Sequence, residues 1–312
     1  MSATPYKSFT GTATDFYVAA PATATLVNLA VRLGRPILVE GEAGCGKTRL
    51  ASAIATELGV GLTVMTVKST SQAKDLLYRF DALRRLQDAQ IPGNTTARHV
   101  HPYLSLEPLG HAIQSGTPQV VLIDEVDKAD IDFPNDLLDV LDRFEFDLED
   151  LPRDEEDACR AARGFGRHVS APKDGTRPIV LITSNREKQL PEPFLRRCLY
   201  LQLDFPEDQP ERLADIVRKN LAPRGESVGD TLLAAAVARF CEIRAQGRRQ
   251  GVRKLPATSE LVDWVRTLHW QGRKEDSLDP KALDALDTAV LFKLRADIDA
   301  YKAGKDEDGG GW

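Results

Sequence analysis

The eight residues Gly41-Glu42-Ala43-Gly44-Cys45-Gly46-Lys47-Thr48 constrain this chain more than any other stretch. They fit G-x4-G-K-[ST] and lie between an apolar run at 36–40 (PILVE) and a segment with helical periodicity at 47–58 (KTRLASAIATEL). The glycines let the backbone wrap an anion so that successive N–H groups point inward, and the helix N-terminus adds the positive end of its dipole. Such a loop requires strand, tight turn and helix in that order. Both neighbours have the required character.

Four further apolar, β-branched-rich runs follow, at 62–67 (LTVMTV), 120–124 (VVLID), 179–183 (IVLIT) and 199–203 (LYLQL). They are apolar throughout and do not alternate, which marks strands covered on both faces of a mainly parallel sheet. Helical segments lie between them, the first ending at Gly59, so the expected class is an α/β sandwich. After about residue 206 the strand signal stops. Helical patterns at 208–221, 230–246, 257–271 and 281–302 predict a small all-helical domain. The expected organisation is therefore an α/β nucleotide-binding domain over 1–205, a helical domain over 206–302 and a disordered tail over 303–312. The two prolines of 205–210 supply a hinge. Between two strands, 144–177 passes from an acidic run to a basic, Gly-containing one, and reads either as a solvated excursion or as an insertion facing a partner or pore.

The chemistry follows from where the strands end. Gly41, Glu42, Ala43, Gly44, Cys45, Gly46, Lys47, Thr48 and the adjoining Arg49 are the candidate nucleotide contacts, with Lys47 toward the β- and γ-phosphates and the Thr48 hydroxyl toward Mg2+. Cys45 reads as a small residue that fits the turn. Val120 to Asp124 form an apolar strand that delivers two carboxylates at its C-terminal end. Asp124 is the second candidate Mg2+ ligand, and Glu125 the base that orients and polarises an attacking water. A base beside the metal ligand favours hydrolysis of ATP over transfer to a second substrate. The run Ile182-Thr183-Ser184-Asn185 ends a further strand, and Asn185 reaches the γ-phosphate or the water if that strand lies between the other two. In Leu190 to Cys198, a proline-opened helix closes with Arg196 and Arg197, placed to project toward a neighbouring subunit's nucleotide, Arg197 being the favoured one.

A net charge of -6 and a pI near 5.5 leave no footprint for non-specific binding to nucleic acid. No run approaches the roughly 18 apolar residues of a membrane span. Scattered cysteines without CxxC fit a reduced, cytoplasmic protein. His99, His101 and His111 have no carboxylate or cysteine at helpful sequence spacing and read as loop histidines. Trp264 and Trp270 read as hydrophobic contacts.

In order, GEAGCGKT, VVLIDEVDKAD, ITSN and LPEPFLRRC followed by a helical lid resemble the AAA+ ATPases, specifically the MoxR branch. The resemblance covers most of residues 15–300. It implies an AAA+ αβα sandwich with a five-stranded parallel sheet, Phe16-Tyr17-Val18 near the adenine, and hexameric rings with ATP at the interfaces. It further implies a partner with a von Willebrand factor A domain, and a chaperone role that remodels a protein client or helps insert its metal cofactor. Many lids of this kind carry an arginine early in their third helix. Here the matching stretch is Arg253-Lys254-Leu255-Pro256, so Arg253 and Lys254 are the substitutes. The segment 75–81 (DLLYRFD) resembles the pore-facing insertion region or, equally, opens an amphipathic helix. Two other readings compete with the ATPase chaperone: a nucleotide-gated assembly module with negligible turnover, and a nucleic-acid motor of the same superfamily.

Overall fold

All five apolar runs become strands of one parallel sheet. In the computed structural model they are part of a series of nine among the described residues: β1 (Ile37–Glu40), β2 (Gly61–Thr66), β3 (Tyr78–Phe80), β4 (Leu104–Leu106), β5 (Gln119–Asp124), β6 (Glu145–Asp147), β7 (His168–Ser170), β8 (Ile179–Ser184) and β9 (Leu199–Gln202). The helices are α1 (Pro21–Leu33), α2 (Lys47–Leu58), α3 (Ala82–Ala89), α4 (Pro108–Ser115), α5 (Asp132–Asp136), α6 (Leu138–Arg143), α7 (Glu156–Arg163), α8 (Glu192–Arg197), α9 (Pro210–Leu221), α10 (Asp230–Arg249), α11 (Thr258–Trp270), α12 (Ala285–Leu291) and α13 (Arg295–Asp308). The structure describes the chain apart from residues 1–5, 13, 15, 16, 18, 174, 276, 277, 279–282 and 309–312, and apart from the side chains of 304–308.

The main sheet has the order β2-β5-β8-β1-β9. Every pairing in it is parallel, with Val120 beside Ile179 and Ile37 beside Leu181 setting the central register. Its central strands are buried on both faces, which is why they show no polar alternation: Leu38, Val121, Leu122 and Leu181 are fully inaccessible. Because β8 lies between β5 and β1, the ends of all three strands meet at one edge. Ligands in open α/β sheets bind outside that carboxyl edge.

Two small two-stranded antiparallel sheets correct the sequence reading. Segment 75–81 does not open an amphipathic helix. A 3-10 turn at Ala73–Leu76 leads into β3, which pairs with β4 and alternates buried Tyr78 with exposed Arg79. The helix begins only at α3, where Asp81 accepts from the Arg84 N–H at 2.9 Å. Nor is 144–177 a solvated excursion. β6 pairs with β7 around α7, and Phe146, Leu148, Leu151, Cys159, Phe165 and Val169 all enter the main apolar core. The charges that dominate its composition sit between these anchors.

The chain divides into two compact units. One comprises the described residues of Met1–Gly11, Ala19–Glu40 and Lys47–Gln202; the other comprises those of Thr12–Val18, Gly41–Gly46 and Leu203–Trp312. The second unit has its own core, in which Leu213, Val217, Val237, Phe240, Leu261, Trp264 and Leu268 are buried. Trp264 also donates to Asp287 at 2.7 Å. The single helix expected over 281–302 is two, α12 and α13. Phe292 breaks them by turning extended, which buries its ring 5.0 Å from that of Tyr301. α13 runs to Asp308, into the tail whose composition reads as disordered. No helix among the described residues is long and apolar enough to cross a membrane.

Candidate nucleotide site

In the first unit, the sheet edge gathers residues from β5, β8 and the start of α2. The buried Lys47 donates from Nζ to Asn185 Oδ1 at 2.6 Å, and Asn185 Nδ2 donates to Glu125 Oε1 at 3.3 Å. Thr48 Oγ1 donates to Asp124 Oδ2 at 3.3 Å, while Asp124 Oδ1 accepts from Thr183 Oγ1 at 2.5 Å. Thr183 Oγ1 in turn accepts from the Glu125 N–H at 2.8 Å. Lys47, Thr48, Asp124, Glu125 and Asn185 thus form one hydrogen-bonded group, although they span residues 47 to 185 of the chain. Thr48 and Asp124 present hard oxygen donors side by side, a donor set that suits Mg2+.

Glu125 departs from the strand with φ 61° and ψ 49°, in the left-handed region that costs a residue with a Cβ roughly 1 kcal/mol or more. That kink turns its carboxylate back across the strand ends. Lys128 pairs with Glu125 Oε2 and is itself held above the ordinary lysine range by that bond. Asp127, at 2% exposure, accepts the backbone N–H groups of Asn185 at 3.0 Å and Glu187 at 2.8 Å with one oxygen. It therefore fixes the turn that presents Asn185. Nothing in an acidic turn after a strand distinguishes such a support in sequence.

In the second unit, the loop Gly41–Gly46 is closely packed. Gly44 and Gly46 have φ of +80° and +99°, and a Cβ on Gly41 would sit 2.4 Å from the Leu203 carbonyl oxygen and 2.8 Å from Cys45 Sγ. Glycine at all three positions is thus a steric requirement. Cys45 is turned toward Gly41 inside its own loop. The Tyr17 ring lies beside Gly46, and burial pushes its hydroxyl up to about 12, with Arg212 opposing and Cys45 adding to the shift. Phe16 and Val18 lie outside the described residues. Lys219 on α9 anchors this segment by donating to the carbonyls of Thr14 at 2.6 Å and Tyr17 at 3.3 Å.

Glu42 leads to a residue that sequence reasoning missed. Arg244 on α10 is 1% exposed; it donates to Glu42 at 2.9 Å and Glu207 at 2.5 Å, and also to the Pro256 carbonyl, with its guanidinium 4.0 Å above the Phe205 ring. Arg253 and Lys254, the substitutes considered for the lid arginine, donate their backbone N–H groups to buried Asp297. They line a cavity of about 270 Å3 together with Glu42, Ala43, Gly44 and Ser259.

Arg196 and Arg197 sit in the last turn of α8, away from the hydrogen bonds of Lys47 and Asn185. Arg196 pairs with Glu192 one turn back. Arg197 donates to Asp142 at 2.5 Å and to the Pro193 carbonyl at 3.2 Å. Both backbone carbonyls accept from Arg35.

Residues 36–198, just over half of the chain, match the AAA domain of the dynein-related subfamily. The chain belongs to that family. Among curated proteins, this AAA protein is similar to Protein NorQ of Paracoccus denitrificans (strain Pd 1222), at 25% identity over 273 residues that cover 87% of this chain and 84% of the relative. Among solved structures it is similar to the Thermotoga maritima RuvB Holliday junction branch migration motor, with 15% identity, coverage of 94% of this chain and 83% of that one, and a TM-score of 0.47. The expected AAA+ family membership stands on the matched AAA domain, and the expected five-stranded parallel α/β sheet on the observed strand order.

Proposed function

We propose that this AAA protein hydrolyses ATP, and the joining of Lys47, Asn185 and Glu125 in one hydrogen-bonded group is the observation that carries the reading. In it, the loop N–H groups and Lys47 grip the phosphates, Asn185 aligns the γ-phosphate, and Glu125 orients the attacking water and takes its proton. Thr48 and Asp124 would hold Mg2+, which when bound offsets phosphate charge. Tyr17, with Phe16 and Val18, forms the adenine side, and Arg49 joins the loop contacts. Arg196 or Arg197 acts on the nucleotide of the next subunit in a hexameric ring, exchanging an exposed intrachain pair for a phosphate. The ring works in the cytoplasm as a MoxR-like chaperone with a von Willebrand factor A domain partner, remodelling a protein client or assisting insertion of its metal cofactor.

Steady-state ATPase assays across protein concentration test this. Turnover should rise cooperatively as rings assemble, Glu125→Gln should bind ATP and stall, and Arg196→Ala with Arg197→Ala should abolish turnover while leaving binding intact. Wild-type rates in the double variant would sink the shared site. One contact favours the alternative, an assembly module with negligible turnover: Lys128 occupies Glu125 Oε2. Under that reading Glu125→Gln would leave partner binding and release unchanged.

A further inference from the structure

Away from the nucleotide residues, the fold brings together three metal-ligating side chains that the sequence keeps far apart. His99 and His101 flank Val100 in the irregular segment before β4, and Glu155 ends the 3-10 turn that leads into α7. Oε2 of Glu155 accepts the backbone N–H groups of Val100 at 2.7 Å and His101 at 3.0 Å, and lies 3.0 Å from His101 Nδ1. Oε1 lies 3.8 Å from His99 Nδ1. One donor atom from each of the three residues falls within 4.8 Å of the other two. The carboxylate that the histidines lack at short spacing is supplied by tertiary structure.

This arrangement exceeds what a structural cap needs. Oε2 alone ties the His99–His101 segment to α7. Among the described residues Oε1 accepts no hydrogen bond, the His99 ring makes none, and no lysine or arginine pairs with Glu155. Glu155 is 9% exposed, His101 partly buried and His99 open to solvent, so the group is fixed at its base and accessible from one side. Burial alone would raise the Glu155 carboxyl; the His101 N–H and ring and the Val100 N–H outweigh it and hold the group below the usual range.

We propose that His99, His101 and Glu155 form a binding site for a first-row divalent cation of the zinc class, with its remaining positions open to solvent. Two imidazoles and a carboxylate are the donors of such ions, whereas Mg2+ and Ca2+ favour oxygen sets. Ligand bonds of about 2.1 Å in tetrahedral geometry separate donor atoms by about 3.4 Å, and one donor atom from each residue already lies within 4.8 Å of the other two, so small side-chain adjustments reach that spacing. Binding displaces the proton that His101 shares with Oε2.

The test is titration of the chelator-stripped full chain with Zn2+ by calorimetry, in excess Mg2+ and without nucleotide, with Co2+ absorption reporting the ligand set. The expected result is one zinc per chain and a tetrahedral Co2+ spectrum, both lost in His101→Ala and Glu155→Gln. His99→Ala should weaken zinc binding more than about tenfold, since even an outer-sphere partner is commonly worth that much. His111→Ala should bind as the wild type does. Glu155 variants also lose a cap and can unfold, so exposed His99 is the deciding position, with circular dichroism confirming its fold. Zinc affinity weaker than about 10 µM in the wild type, or undiminished in His99→Ala, overturns the proposal.

Discussion

Removing Arg244 separates two readings of its contacts, as a surface ion pair or as a buried support of the loop. The guanidinium is 1% exposed, and it holds Glu42, Glu207, the Pro256 carbonyl and the Phe205 face. Breaking a buried charge pair from one side typically costs about 3–5 kcal/mol. Two features place Arg244→Ala near the lower figure: Glu207 keeps Arg248 as a partner, and Glu42, 51% exposed, regains water. What is left uncompensated is the Pro256 carbonyl, the lost cation–π contact and the vacated volume. Glu42→Gln is different, because Arg244 keeps its other contacts and the altered Glu42 is itself half exposed, so its cost stays below about 1 kcal/mol. With a urea slope of about 2 kcal/mol per M, these figures become midpoint losses of about 1.5 M for Arg244→Ala and under about 0.5 M for Glu42→Gln. Trp264, buried in the same unit, reports the transition through its red-shifted emission. An Arg244→Ala midpoint within about 0.3 M of wild type, or equal losses in both variants, would refute the argument.

Three other outcomes are expected. Asp127→Ala strands the N–H groups of Asn185 and Glu187, so ATP turnover should fall about tenfold or more with nucleotide affinity little changed, and an unaltered kcat beside an inactive Asn185→Ala would remove the supporting role. Gly41→Ala drives a methyl into the Leu203 carbonyl; nucleotide affinity, followed with a fluorescent ATP analogue, should drop at least about tenfold and stability by about 1–3 kcal/mol. The Glu155 carboxyl titrates below its unfolded value, so its stabilisation is complete above pH 4.5 and fades as pH falls through the lower folded value. In chelator, the stability gap between wild type and Glu155→Gln should accordingly narrow with acidification below pH 4.5, and a gap that widens there would contradict the sign.

What the sequence disclosed, and what it hid, divides along physical lines. The three central strands of the main sheet, β5, β8 and β1, are covered on both faces, so burial writes them as unbroken apolar runs, as at 36–40 and 179–183. The strand pairs β3–β4 and β6–β7 have three-residue strands, too short to register a period against the charges around Phe146 and Val169. The loop 41–48, Asp124 and Glu125 stand out because steric and charge requirements act on adjacent residues. The Arg244–Glu42 pair and the His99–His101–Glu155 group rest on contacts between residues more than fifty positions apart, and one arginine in a helix rich in arginines carries no mark of burial. The fracture between α12 and α13 was equally silent, since it depends on Phe292 finding Tyr301 rather than on a glycine or proline.

Glu125 stands where foldability and use diverge. Its left-handed backbone is a conformation that glycine or asparagine adopts with less penalty, so a search for robustness alone would replace it and discard the carboxylate. The chain keeps the awkward residue and surrounds it with Thr183 on its amide, Asn185 on one oxygen and Lys128 on the other. Such a position is bound to its surroundings: exchanging Glu125 would also undo the contacts that Asn185 and Lys128 make with it.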